Sequence, residues 1–307
     1  MSRVCVTGGA GFIGSHVADA LIERGDDVIV IDDLSGGVQE NVPKAARLEV
    51  LDIRSSEARQ VLIDEKVEIL IHHAAQMDVR RSVDDPIFDA NVNIGGLLNL
   101  LEASRQGSLK QVVFASTGGA IYGEQDVHPA DETHAMRPVS PYGVSKLAGE
   151  RYLFYYHVDQ GIDVTCLRYA NVYGPRQNPH GEAGVVAIFA NRLIDGAPCV
   201  INGDGGQTRD YVYVGDVVAA NMAALGGSGF HTFNVGTAIE TDVNRLFAHI
   251  RDALGVAVEA EHGPGKAGEQ RRSCITADLL RRERGVTIKT DLGSGIKTTT
   301  DWFAARR

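Results

Sequence analysis

The feature that most limits what this chain can become is a run of glycines placed directly after its first apolar stretch. Val4-Cys5-Val6-Thr7 passes into Gly8-Gly9-Ala10-Gly11-Phe12-Ile13-Gly14, and a helix-like pattern follows. Glycines at 8, 11 and 14 permit a tight strand-to-helix turn and a backbone approach that a side chain would block. The helix start then presents N–H groups to an anion. A second apolar run ends in Val30-Ile31-Asp32-Asp33. An acid about 20 residues beyond such a turn accepts hydrogen bonds from ribose hydroxyls and repels a 2′-phosphate. Together these features predict a dinucleotide cradle: Gly8, Gly11 and Gly14 at a pyrophosphate, Asp32 and Asp33 at the adenosine ribose, and NAD rather than NADP as cofactor.

The same rhythm continues. Apolar runs at Val4–Thr7, Val28–Ile31, Leu48–Leu51, Ile69–His72, Val112–Ala115 and Val164–Leu167 alternate with helix-like segments. Alternation of this kind predicts βαβ units, hence the α/β class with a doubly wound parallel sheet of Rossmann type. Asp84–Gln106 reads as one long helix, with Pro86 near its start and an apolar stripe of Ile87, Val92, Leu97, Leu98 and Leu101. A second helix is expected over Pro141–Gln160. Beyond Gly174-Pro175 the pattern loosens, with short helices at Ala187–Leu193 and Asp242–Leu254. The expected organisation is an NAD-binding domain over 1–170 and a smaller α+β substrate-binding domain over 171–307, with a segment around 210–236 returning to the first.

Two further strand ends add to the cradle. Asp52 and Ile53 close the third strand, where an acid and an aliphatic can meet the edge and face of an adenine. His72-His73-Ala74-Ala75-Gln76 closes the fourth, and small Ala74 and Ala75 beside Gln76 let backbone approach the cofactor. Adjacent histidines in a strand point to opposite faces, and no carboxylate or cysteine stands at ligand spacing, so no metal is expected.

Chemistry enters with Thr117, just past the fifth strand, and with Tyr142 and Lys146 at i and i+4 of one helix face. A free tyrosine has a pKa of about 10 and is a poor base. A nearby ammonium together with the cation of an oxidised nicotinamide favours the phenolate, and proton abstraction from a hydroxyl follows. Thr117 can donate or relay a hydrogen bond to the same substrate oxygen.

Composition restricts the rest. A length of 307 residues fits about two domains. A net charge of −10 argues against nucleic-acid or acidic-membrane partners, so an anionic ligand needs a local basic cluster. Cys5, Cys166, Cys199 and Cys274 form no C-x-x-C pair and read as buried free thiols. No apolar run spans a membrane, and Met1–Val6 runs directly into a strand rather than a leader, so a cytoplasmic protein is expected.

These residues resemble the NAD-dependent epimerase/dehydratase family of extended short-chain dehydrogenases/reductases, in particular epimerases of the UDP-glucose 4-epimerase type. The match runs through Thr7–His16, Asp32–Ser35, Asp52-Ile53, His73–Ala75, Asn91–Asn93, Ser116–Gly123, Ser140–Lys146, Leu167–Gly174, Arg209–Val212 and Gly268-Glu269. The resemblance implies catalytic roles for Thr117, Tyr142 and Lys146, with Lys146 also on the nicotinamide ribose. It puts the Phe12 and Ile13 amides at the pyrophosphate, Asn91 and Tyr169 along the cofactor, and Asn171, Val185, Arg209, Lys266 and Glu269 on the nucleotide half of a UDP-sugar. Arg209 and Lys266 would supply the basic cluster, although many relatives carry arginine where Lys266 stands. Four residues beyond Glu269, Ser273 would lie near the substituent on sugar carbon 2, its small size leaving room for an acetamido group. The two long helices would pair with their copies in a homodimer.

Within the family the residues after Thr117 separate the chemistries. Dehydratases of this type place acids directly after the hydroxyl, whereas this chain has Gly118-Gly119. Hydride removal and return at carbon 4 is what remains, interconverting UDP-glucose and UDP-galactose. A UDP-uronate 4-epimerase, another NAD-dependent nucleotide-sugar oxidoreductase and a non-catalytic nucleotide-binding regulator stand as alternatives.

Overall fold

Alternating apolar runs close into one parallel sheet with helices on both faces. In a computed structural model, which describes residues 2–179, 184–265 and 270–306, the first six strands are β1 (Arg3–Thr7), β2 (Asp27–Asp32), β3 (Arg47–Val50), β4 (Ile69–His72), β5 (Gln111–Thr117) and β6 (Asp163–Tyr169). Three short strands, β7 (Asn171–Tyr173), β8 (Val200–Asn202) and β9 (Thr208–Tyr213), leave this layer, and β10 (Phe230–Val235) returns to it as the neighbour of β6. The resulting order is β10-β6-β5-β4-β1-β2-β3. It reverses direction at β1, so the crevice between the carboxyl ends of β1 and β4 is the place where ligands bind in open α/β sheets.

The register explains why these strands are apolar throughout. Val4 pairs with Val28 and Ile69, and Val6 with Val30 and Ile71. Successive side chains alternate between two cores, since both faces are covered. Cys5, Ile29, Leu70, Val112 and Phe114 face one core, and Val4, Val6, Val30, Ile71 and Val113 face the other.

Helix α1 (Phe12–Arg24) runs down from the glycine turn. Then come α2 (Ser56–Asp64), α3 (Val79–Asp84), α4 (Pro86–Ala90), α5 (Leu97–Leu101), α6 (Gly118–Ile121) and the long α7 (Pro141–Gln160). The single helix expected over Asp84–Gln106 is interrupted. It starts at Pro86, capped by Asp85, which accepts from Phe88 N. Across Asn91–Gly96 it widens into a π turn, a feature frequent at functional sites. Ile53 packs against that turn so closely that a Cβ on Gly96 would lie 2.5 Å from its Cδ1. The expected stripe is also only partly buried: Leu97 and Leu101 are inside, but Ile87 is 73% exposed.

After β7 a second layer gathers. Helices α8 (Val185–Ile194), α9 (Val214–Ala224), α10 (Val243–Leu254), α11 (Asp278–Arg284) and α12 (Leu292–Ala304) complete the helical complement. Helices α8, α10 and α12 enclose Phe189, Leu246, Phe247, Ile296 and Phe303, while α9 packs beside α1 on the main sheet. Strands β11 (Glu240–Asp242), β12 (Glu261–Gly263) and β13 (Arg272–Ser273) make small pairings: β9 lies between β11 and β13, and β12 pairs with β8. Buried Asp210 on β9 ties this layer to the end of β10. It accepts from Thr237 N at 2.9 Å, Thr237 Oγ1 at 2.6 Å, Ala238 N at 3.3 Å and Ile275 N at 3.3 Å. Among the described residues no helix is long and apolar enough to cross a membrane.

Candidate active site

The crevice floor is backbone, and glycine makes it so. Gly8 adopts a φ of +70°, and a Cβ there would lie 2.7 Å from Ala74 N at the end of β4. A Cβ on Gly14 would lie 2.2 Å from Gly8 O. The turn is therefore closed to side chains, and among the described residues no side chain caps the start of α1, whereas Ser140 caps α7 and Asp242 caps α10. The N–H groups of Phe12, Ile13 and Gly14 thus head an uncapped helix, the arrangement that suits a pyrophosphate.

Buried Asp32 accepts from Ala10 N at 3.0 Å and Leu34 N at 2.9 Å. Its remaining lone pairs suit a ribose diol, and burial holds its carboxyl above the usual value. Asp33 is exposed, its Oδ1 taken by Ser35 N and Ser35 Oγ. Asp52 is engaged by Arg54 Nε at 3.0 Å, and Ile53 is buried in the core under the π turn. Ala74 and Ala75 are half-buried. The Gln76 side chain is committed to protein partners, donating to Asp78 O at 2.7 Å and accepting from Asp78 N at 2.9 Å. The turn, the uncapped helix and Asp32 fit a dinucleotide.

At the neighbouring strand end, Thr117 Oγ1 accepts from Ala120 N at 3.2 Å as the cap of α6. The contact leaves the hydroxyl hydrogen free to donate elsewhere. Helix α7 starts against α6, with a Cβ on Gly143 falling 2.8 Å from Ala120 O, which brings Tyr142 beside the turn that Thr117 caps. Tyr142 N donates to Ser82 Oγ at 3.2 Å. One turn on, buried Lys146 donates from Nζ to Ala115 O at 2.8 Å, and Nζ lies 5.9 Å from the centroid of the Tyr142 ring.

Burial brings the Lys146 ammonium down to about 8. Burial, with a smaller push from Asp89, moves the Tyr142 phenol above its ordinary value. In the protein alone burial therefore disfavours the phenolate; the expectation for Tyr142 joined to the ammonium the cation of an oxidised nicotinamide.

Behind this group lies polar machinery that the sequence pattern did not single out. Asn91, expected along the cofactor, is exposed. The buried amide of that segment is Asn93, which accepts from Gln76 N at 2.9 Å and donates to Gln76 O and Asp89 Oδ1, each at 2.9 Å. Tyr169 stands beside Thr117 in the β5–β6 register and shares its hydroxyl with Asn221 Nδ2 at 2.9 Å and His73 Nε2 at 3.2 Å. Among the described residues the other ring nitrogen of His73 is buried without a hydrogen-bond partner. His72 points away and bonds Thr7 Oγ1 at 2.8 Å. One available signal was the i, i+4 spacing of Asp89 and Asn93, a polar pair inside an otherwise apolar helix.

On the second layer Asn171 and Arg209 are half-buried, and Val185 is the first residue of α8. A Cβ on Gly119 would lie 3.8 Å from Asn171 Oδ1, so Asn171 adjoins the turn that Thr117 caps. Arg209 pairs in register with Ser273, and Arg209 Nη1 donates to Thr208 O at 2.8 Å. Ser273 is buried on β13. Lys266 and Glu269 lie outside the described residues. A Cβ on Gly118 would fall 2.4 Å from Ile275 Cδ1, so the position after Thr117 admits no carboxylate without displacing that side chain.

Residues 4–236 match the NAD dependent epimerase/dehydratase family. The UDP-glucose 4-epimerase of Mycolicibacterium smegmatis is 43% identical, with 98% of each chain covered. The structure of UDP-glucose 4-epimerase from Thermotoga maritima with UDP-glucose superposes with a TM-score of 0.96 at 44% identity, covering 99% of each chain. The UDP-N-acetylglucosamine 4-epimerase of Methanobrevibacter ruminantium superposes with a TM-score of 0.92 at 32% identity, covering 100% of this chain and 99% of that one. With its glycine turn, its buried Asp32 and its Tyr-Lys helix in this fold, the chain belongs to the NAD dependent epimerase/dehydratase family.

Proposed function

We propose that this protein is a UDP-glucose 4-epimerase, interconverting UDP-glucose and UDP-galactose and accepting the N-acetyl forms. The observation that carries this reading is the seating of Thr117, cap of α6, against the start of α7 with its Tyr142 and Lys146, where glycine and not an acid stands at position 118. Tyr142 takes the proton of the sugar 4-hydroxyl, Thr117 donates to the same oxygen, and Lys146 supplies positive charge and grips the nicotinamide ribose. When bound, NAD supplies reversible hydride acceptance at carbon 4. Gly8, Gly14 and the start of α1 hold it, and Asp32 takes the ribose. Asn171, Val185 and Arg209, with Lys266 and Glu269, anchor the nucleotide, so the sugar is free to turn over between the two half-reactions. Tight binding at the nucleotide and loose binding at the sugar suit an enzyme that must present both faces of one carbon.

The test is a substrate panel with no added reductant. UDP-glucose and UDP-galactose should interconvert on the cofactor that co-purifies, and so should UDP-N-acetylglucosamine and its galacto epimer. A requirement for stoichiometric NADH would replace an epimerase by a net reductase. Ser273→Tyr should selectively lose the acetamido substrates. Equal loss on both pairs would remove Ser273 from sugar selection.

The protein further acts as a homodimer, through α3, α4 and α7. These helices pack together and leave Val83, Ile87, Val144, Tyr152 and Tyr155 exposed, an apolar face that a second copy would cover. Four free, buried cysteines suit the reducing cytoplasm.

A further inference from the structure

We propose that the buried Glu150–Arg168 pair is a positioning clamp, setting the turn that Thr117 caps against the helix that carries Tyr142 and Lys146. The proposal rests on the roles given above to those three residues. Glu150 lies on α7 one turn beyond Lys146 and two beyond Tyr142, so the three share a helix face. Both members of the pair are buried, and the contact is bidentate. Arg168 Nη2 donates to Glu150 Oε2 at 2.6 Å, and Arg168 Nε donates to Oε1 at 2.9 Å. Two further bonds run from the pair to either side of Thr117. Ser116 Oγ, on the residue before it, donates to Glu150 Oε1 at 2.6 Å. Arg168 Nη1 donates at 2.9 Å to the hydroxyl of Tyr122, the residue that closes α6.

These bonds make a closed circuit with Thr117 inside it. Ser116 and Arg168 face each other in the β5–β6 register, and Lys146 Nζ bonds the next residue back, Ala115 O, at 2.8 Å. Helix α7 is thus tied to consecutive residues of β5 just before Thr117. At the far end of α6, Tyr122 is held in turn by Asn234 of β10, its hydroxyl donating to Asn234 Oδ1 at 2.7 Å. Met136 Sδ, 3.0 Å from Arg168 Nη2, is a further partner of the guanidinium. A buried ion pair is a poor source of stability, because desolvation of two charges cancels most of their attraction. Apolar side chains of similar volume commonly hold a fold as well. They cannot, however, fix a helix and a hydroxyl in one geometry, which a bidentate guanidinium does. Thr117 and Tyr142 must reach one substrate oxygen, and a misplacement of about 1 Å costs about 10²-fold in rate. Orientation is therefore where this pair has its effect.

The experiment measures kcat, KM for UDP-galactose, NAD released on denaturation and thermal stability, all on the protein as purified with its cofactor. Three variants are compared with the parent: Ser116→Ala, Tyr122→Phe, and Glu150→Met combined with Arg168→Met. The first two leave the ion pair intact and cut one bond each from it to the strand and the turn. Each should lose about tenfold in kcat while KM, NAD content and melting temperature stay close to the parent values. The combined variant removes both charges together, so it should keep its fold and its NAD and lose about 10²-fold in kcat. Parent kcat in either Ser116→Ala or Tyr122→Phe would overturn the proposal, whether or not the combined variant folds. So would a loss confined to KM, or one that merely follows thermal stability, and the pair would then be a structural tie. Tyr142→Phe run in parallel separates the two levels. Retained turnover there defeats the site reading on which the clamp depends, whereas its loss together with parent kcat in Ser116→Ala defeats the clamp alone.

Discussion

Tyr142 is asked to be a base in a place that burial makes unfavourable for a phenolate. Its usefulness therefore depends on positive charge close by, from buried Lys146 and from the oxidised cofactor. Proton transfer by a placed side chain contributes about 10²–10⁴-fold, so Tyr142→Phe should lose that much turnover while its NAD content stays at the parent level. Turnover within a factor of two of the parent would remove Tyr142 from the mechanism. Asp32 makes a separate case. Both of its oxygens already accept backbone N–H groups, and a buried carboxylate there leaves no place for a 2′-phosphate. Denatured protein should release NAD, and mass spectrometry finding mainly NADP would overturn that reading of Asp32.

Single elements are placed by what crosses between them. The helix beginning at Pro86 departs from its apolar stripe before the π turn, where Ile87 is exposed, and follows it again beyond, where Leu97 and Leu101 are buried; at the turn itself Ile53 and Gly96 pack together and Asn93 is turned toward Gln76. Residue periodicity records which side chains prefer oil to water. It carries no record of a strand-end isoleucine arriving from elsewhere in the chain, so both the widened turn and the exposure of Ile87 were invisible to it. Strand β9 shows the same dependence. Asp210 satisfies Thr237, Ala238 and Ile275 at once, so Asp210→Ala would strand several buried donors. A loss of about 2–4 kcal/mol is expected by chemical denaturation, and a loss under about 0.5 kcal/mol, ordinary for a surface change, would show that water replaces the carboxylate there.

Across the whole molecule, the exposed apolar residues of α3, α4 and α7 bear on assembly. Light scattering at micromolar concentration should give a dimer mass for the parent and a monomer mass for Ile87→Asp, since a charge in the centre of an apolar contact is left unpaired. A monomeric parent would refute the pairing. The parallel sheet, the glycine turn, Asp32 at the end of β2 and the Tyr142–Lys146 spacing were all legible in the chain, because each is written in neighbouring residues by strand alternation, helical period or a turn that admits no side chain. Folding in three dimensions made Asn93 rather than Asn91 the buried amide, joined Asp89 to Ser145 beside Lys146, laid Ile275 against position 118, and put Ser273 in a strand beside Arg209. Those facts join segments far apart in the chain. Burial, which sets their charges and their partners, exists only once the segments have met.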